Sequence, residues 1–129
     1  PGWFVRTQDP ITLADSEPEP DVCVIKGNPR QYAQQHPQAT DVGLVVEISD
    51  SSLGKDRGSK KRIYAHAGIP LYWIVSLIDR WIEVYSNPTW IDDEVDYQKH
   101  QVYRAEEQIT IAIDETVLGT IQVRELLPD

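Results

Sequence analysis

Asp21, Glu47, Asp56 and Lys60 are the side chains whose types and spacing could do chemistry. Glu47 sits inside an apolar run, Leu44 to Ile48, and Asp21 opens another, Val22 to Ile25, directly after Pro20. A glutamate is rarely buried unless it is paired or ligating. If the two runs are neighbouring strands, both carboxylates can stand at one sheet edge. Carboxylates a few Å apart repel unless a cation or a proton lies between them. Mg²⁺ suits such a place, because it takes one or two carboxylates and keeps several waters. The plain alternatives are a Glu47 that reaches solvent from a strand end and an Asp21 that satisfies a turn.

The two remaining groups lie on a helix expected over residues 55–67. Gly68 is a good residue just past its end, and Pro70 follows. At roughly 100° per residue, Asp56, Lys60, Ile63 and Ala67 share one stripe, with Tyr64 at its margin. Lys60 is thus in line with the apolar face, and Lys61 is not. An exposed Asp56–Lys60 pair is worth only about 0.3–0.5 kcal/mol. Its place on the inner stripe favours a Lys60 that points toward Glu47. Ser49, Ser51 and Ser52 have no His–Asp partner placed by the sequence, and they read as turn or cap residues. His36, His66 and His100 have no ligand-like spacing and read as surface histidines. No phosphate-binding glycine loop, paired-cysteine motif or nucleophile elbow occurs.

The elements that must position these groups are read from pattern. Strands are expected over residues 3–7, 21–25, 43–48, 71–77 and 81–85. In 43–48, alternation puts Val45, Glu47 and Ser49 on one face and Leu44, Val46 and Ile48 on the other. Residues 15–20 form a rigid acidic loop. One helical turn is expected near 30–35, and an acidic loop over 87–96. A second hairpin is expected from 97–103 and 108–113, with a last strand or short element over 120–126. The strand–helix–strand unit from Gly43 to Leu77 suggests a crossover, and the later links suggest antiparallel hairpins. Tyr72, Trp73, Trp81 and Tyr85 read as sheet packing. The sum is an α/β chain with a mixed sheet and one principal helix after the Glu47 strand.

The chain has 129 residues, 40% hydrophobic and 26% charged, which suits one domain with one core. No run approaches the ~20 apolar residues that span a bilayer, and no secretory signal is seen. The chain has no Met and opens on Pro1-Gly2, so a native N-terminal segment is expected to be missing. Cys23 is the only cysteine. No internal disulfide can form, and a buried thiol in a cytoplasmic, reducing compartment is the simplest reading. The formal charge of −9 argues against nucleic-acid binding by net charge. Yet Lys55, Arg57, Lys60, Lys61 and Arg62 form a basic strip within eight residues. Such a strip can contact phosphate, especially beside a bound divalent metal.

Four stretches carry a resemblance when taken in order. They are Glu19-Pro20-Asp21-Val22, then Val45-Val46-Glu47-Ile48-Ser49, then Asp56 with Lys60 and Tyr64-Ala65, then Ala67 to Val75, AGIPLYWIV. The set resembles the Uma-two family of restriction-endonuclease-like proteins, within the PD-(D/E)XK nuclease superfamily. The resemblance spans residues 18 to about 85. It implies a restriction-endonuclease-like mixed sheet with C-terminal antiparallel hairpins. It also implies a metal-dependent endonuclease acting on DNA, with Mg²⁺ or Mn²⁺ as cofactor.

Asp21 looks like the superfamily's first carboxylate and Glu47 like its second. Ser49 stands where the superfamily's lysine normally lies, and Lys60 on the following helix looks like its replacement. The resemblance implies that Asp21, Glu47 and the Ile48 carbonyl hold the metal and that Asp56 orients Lys60. Arg57 and Lys61 would contact backbone phosphates. Ser76 stands where family members often have Asp. Two other readings stay open: an inactive nuclease-like binding module, and a structural or interaction protein that pairs as a homodimer through a strand edge.

Overall fold

β3 (Val42–Ser49) is the strand around which the sheet is arranged. Its neighbours differ in direction. β2 (Val22–Lys26) runs antiparallel to it, and β4 (Leu71–Ser76) runs parallel. β1 (Trp3–Thr7), β5 (Trp81–Ile91) and β6 (Glu94–Arg104) complete a six-stranded mixed sheet in the order β1-β2-β3-β4-β5-β6. β7 (Gln108–Ile113) and β8 (Thr116–Gln122) form a separate antiparallel pair. This computed structural model describes residues 2–50 and 53–128. Pro1, Ser51, Ser52 and Asp129 lie outside the described residues, and with them the turn or cap role expected of Ser51 and Ser52.

Parallel neighbours need a crossover, and the helical segment supplies it between β3 and β4. It has three consecutive parts: α1 (Leu53–Lys55), a π-helical turn (Asp56–Lys60) and α2 (Lys61–His66). Gly68 follows at φ 78°, the left-handed conformation that ends a helix and that glycine adopts without strain.

The sheet separates two apolar layers. Val45, Tyr72, Ile74 and Tyr85 pack toward Tyr64 and Ala65 of α2 on one face. Leu44, Val46, Trp73 and Val75 pack toward Ile109, Val123 and Leu127 on the other. Alternation along β3 therefore sends Val45 and Val46 to opposite layers, as the period of two requires. Cys23 lies in the helix-side layer, and burial pushes its thiol up to about 11. Gly43 marks the closest approach beside this strand. A Cβ there would meet Ile113 at 2.5 Å and Trp3 at 2.8 Å.

Two expectations are corrected. Residues 87–96 are not a loop: β5 and β6 run through them and turn at Asp92-Asp93, both at positive φ. Pro88 is tolerated because β5 pairs with β4 only as far as Ser86, so the missing N–H lies beyond that ladder. Nor do residues 97–103 pair with 108–113. β6 pairs with β5, and β7 pairs with β8 across the turn Asp114-Glu115. The last strand ends at Gln122, and Val123–Leu126 form the short terminal element, a 3-10 turn.

Candidate active site

The C-terminal end of β3 meets the start of β2, and two carboxylates stand there. The main-chain N–H of Asp21 donates to Glu47 Oε1 at 3.2 Å. The Asp21 carboxylate accepts from the main-chain N–H of Ile48 at 2.7 Å. These side-chain links continue the β2–β3 pairing one step past Val22–Val46, its last register pair. Glu47 is 3% exposed on a central strand, in register with Ile74 of β4.

The helical segment brings the cation. Lys60 Nζ lies 3.5 Å from Glu47 Oε2 and 3.1 Å from Asp56 Oδ1. Asp56 is fully buried. The helix phase differs from the uniform 100° expectation in one respect. The π turn accommodates an extra residue, so the stripe below it rotates. Asp56, Lys60 and Tyr64 face the sheet, while Ile63 is 40% exposed. Tyr64 donates its hydroxyl to Glu47 Oε2 at 2.9 Å. Spacing alone put Tyr64 at the margin, because the sequence gives no local sign of the π turn apart from Gly58.

Charge and burial compete at this cluster. Burial raises the Glu47 pKa above the usual 4.5, and the Lys60 charge and the Tyr64 hydrogen bond only partly offset it. Partial burial works to lower Lys60, but the Glu47 and Asp56 carboxylates outweigh it and hold the ammonium above its usual 10.5. The two ends of the pair thus respond differently. Lys60 remains charged throughout the neutral range, and Glu47 is the group short of compensating charge.

The family model described as "Putative restriction endonuclease", Uma2, matches residues 1–119. The chain belongs to the Uma2 family. Among solved structures, the Uma2 chain is similar to a crystal structure titled as a putative nuclease belonging to DUF820 from Anabaena variabilis ATCC 29413. The TM-score is 0.64, over 97% of this chain and 68% of that one, at 16% identity. That likeness shows the fold. Comparison with curated proteins found no match.

The other expected site residues of this Uma2 chain are placed as follows. Ser49 is 1% exposed, and its hydroxyl has no hydrogen-bond partner among the described residues. Arg57 grips the buried Glu83 with its Nε and Nη2 and reaches Asp79 at 3.3 Å. Glu83 also accepts from Trp81 Nε1 at 3.0 Å and the Tyr85 hydroxyl at 2.8 Å. Burial would raise Glu83, but these donors together hold it below 4.5. Lys61 lies 3.4 Å from Asp96 and over the Tyr85 ring. Both Arg57 and Lys61 are therefore engaged by internal carboxylates. Lys55 and Arg62 are exposed and make no ion pair among the described residues.

A hard divalent cation is the ion that the chemistry of these donors would suit. Asp21, Glu47 and Asp56 set three carboxylates against the single ammonium of Lys60, leaving two formal negative charges. Among the described residues, no group of three His, Cys, Asp or Glu side chains could share a metal ion. A cation here would have to take few carboxylates and keep several waters, which is the habit of Mg²⁺.

Proposed function

We propose that this Uma2 chain is a metal-dependent endonuclease that hydrolyses phosphodiester bonds in DNA. The convergence of Asp21, Glu47 and Lys60 at the end of β3 carries the reading. Asp21 and Glu47 would hold Mg²⁺ or Mn²⁺ together with the main-chain carbonyl of Ile48. A residue's N–H and C=O face the same neighbour in an extended strand, and the Ile48 N–H faces Asp21. A bound divalent cation supplies a water of lowered pKa and neutralises charge on the scissile phosphate.

The chain's own groups do the rest. Lys60 keeps its proton and offers a fixed positive charge to the negative charge that develops at phosphorus. An ammonium is a compact point charge on a flexible stem, so it needs holding. Asp56 holds it at 3.1 Å from inside the helix. Ser49 shares the Glu47 face and leaves open the place from which a strand-borne lysine would compete with Lys60.

A second reading, a nuclease-like module without activity, draws on the internal satisfaction of the cluster. Each oxygen of Glu47 already has a donor, and the Asp21 carboxylate has one. Plasmid nicking with Mg²⁺ or Mn²⁺ separates the two. The proposal expects metal-dependent nicking by the wild type and its loss in Lys60→Ala. Equal nicking by both proteins rejects the role of Lys60, and no nicking by either, despite a folded wild type, favours the inactive module.

A further inference from the structure

Tyr64 reaches the cluster without belonging to the expected set. It is 1% exposed, and its ring packs against Tyr72 with 5.2 Å between centroids. The Tyr72 hydroxyl in turn donates to the Asp56 carbonyl in the π turn at 2.8 Å. The phenol is thus fixed from the helix and from β4 at once. Its hydroxyl occupies Glu47 Oε2, the oxygen that Lys60 also approaches. Among the described residues, Oε1 accepts from the Asp21 N–H at 3.2 Å. A carboxylate oxygen offers about two acceptor sites. Tyr64 donates to Oε2 and the Lys60 ammonium lies 3.5 Å from it, whereas Oε1, with one donor among the described residues, keeps an acceptor site.

We propose that Tyr64 is a positioning residue for Glu47: its hydroxyl, with Lys60, holds Oε2 so that Oε1 is presented to a divalent cation shared with Asp21. The inference rests on the metal-dependent reading above. Hydrogen-bond partners of metal ligands typically change metal affinity by about 10–100-fold when removed.

The test is calorimetric titration of the full chain with Mn²⁺ alone, for wild type, Tyr64→Phe and Tyr97→Phe. Tyr97 is the control: it is buried in the same aromatic layer, and its hydroxyl donates to the Ile69 carbonyl at 2.8 Å instead. Both variants lose one buried hydrogen bond and are expected to lower Tm alike. Only Tyr64→Phe is expected to weaken Mn²⁺ binding, by about 10–100-fold. In nicking kinetics, the same variant is expected to lower kcat with KM for DNA unchanged. 3-Fluorotyrosine at position 64 keeps the hydroxyl and is expected to restore binding, which keeps the test decisive if the phenylalanine variant folds poorly. Unchanged Mn²⁺ affinity in Tyr64→Phe, equal weakening in Tyr97→Phe, or no restoration by the fluorinated residue overturns the positioning role. Absence of Mn²⁺ binding by the wild type overturns the metal-dependent reading itself, and the inference with it.

Discussion

Asp21 and Glu47 are tied to each other through the main chain: the Asp21 N–H donates to Glu47 Oε1 at 3.2 Å, and the Asp21 carboxylate caps the N–H of the residue after Glu47 at 2.7 Å. The strand pairing that ends at Val22–Val46 is thereby extended by two side chains that carry negative charge. Structure and chemistry share the same bonds at this point, and the consequences can be separated by substitution.

Asp21→Asn keeps an oxygen that can accept from the Ile48 N–H but removes the charge. Stability should change by no more than about 1 kcal/mol, the scale of one neutral hydrogen bond. Mn²⁺ affinity and nicking should fall by more than about 100-fold, since a ligand should matter at least as much as a ligand's own partner. Urea unfolding and calorimetric titration on the same preparation check both. A parallel collapse of stability would show that Asp21 acts mainly as a cap.

Glu83 gives the clearest pH dependence. Its folded pKa lies below the usual 4.5 because Arg57, Trp81 and Tyr85 outweigh its burial. A depressed carboxylate contributes stability above its unfolded pKa, and that contribution is lost as pH falls through the folded value. Glu83→Gln should cost about 2–3 kcal/mol at pH 7, below the roughly 3–5 kcal/mol of a fully buried pair because Arg57 is partly exposed. The difference from wild type should persist down to about pH 4.5 and shrink below it. Urea unfolding from pH 7 to pH 3 reads this. A difference that is constant with pH would mean that charge is not what Glu83 contributes.

The basic strip makes a third prediction. Arg57 and Lys61 have carboxylate partners, whereas Lys55 and Arg62 have none among the described residues. Each phosphate contact adds about 0.9 to the slope of log affinity against log salt. Lys55→Ala and Arg62→Ala should each lower that slope by about one contact. Arg57→Ala should leave the slope nearly unchanged and lower Tm instead. DNA binding measured across salt concentrations decides between them. A slope loss confined to Arg57→Ala would mean that its ion pairs open for phosphate.

Much of this was legible in the residues. The alternation of Leu44 to Ser49 predicts two faces, and Val45 and Val46 do pack in opposite layers. Gly68 and Pro70 predict where the helix ends. The parallel step from β3 to β4 follows from the helix between them. The hidden parts have physical causes. Asp92-Asp93 and Asp114-Glu115 make tight turns at positive φ without the Gly or Asn that normally announces one. Pattern therefore places the 71–77/81–85 hairpin correctly but pairs 97–103 with 108–113 instead of with β5 and β8, respectively. The π turn rotates Tyr64 inward and Ile63 outward, and no periodicity argument that assumes a uniform helix can see it. Arg57 looks like a free cation in sequence because its partners, Asp79 and Glu83, arrive only with β5 and the turn before it.

The most direct measurement is anomalous diffraction from crystals grown with Mn²⁺, recorded near the manganese edge. The account predicts one strong peak at the end of β3, in contact with a carboxylate oxygen of Asp21, Glu47 Oε1 and the Ile48 carbonyl, at about 2.1 Å. A peak elsewhere on the molecule, or no peak in protein that nicks DNA with Mn²⁺, would contradict it.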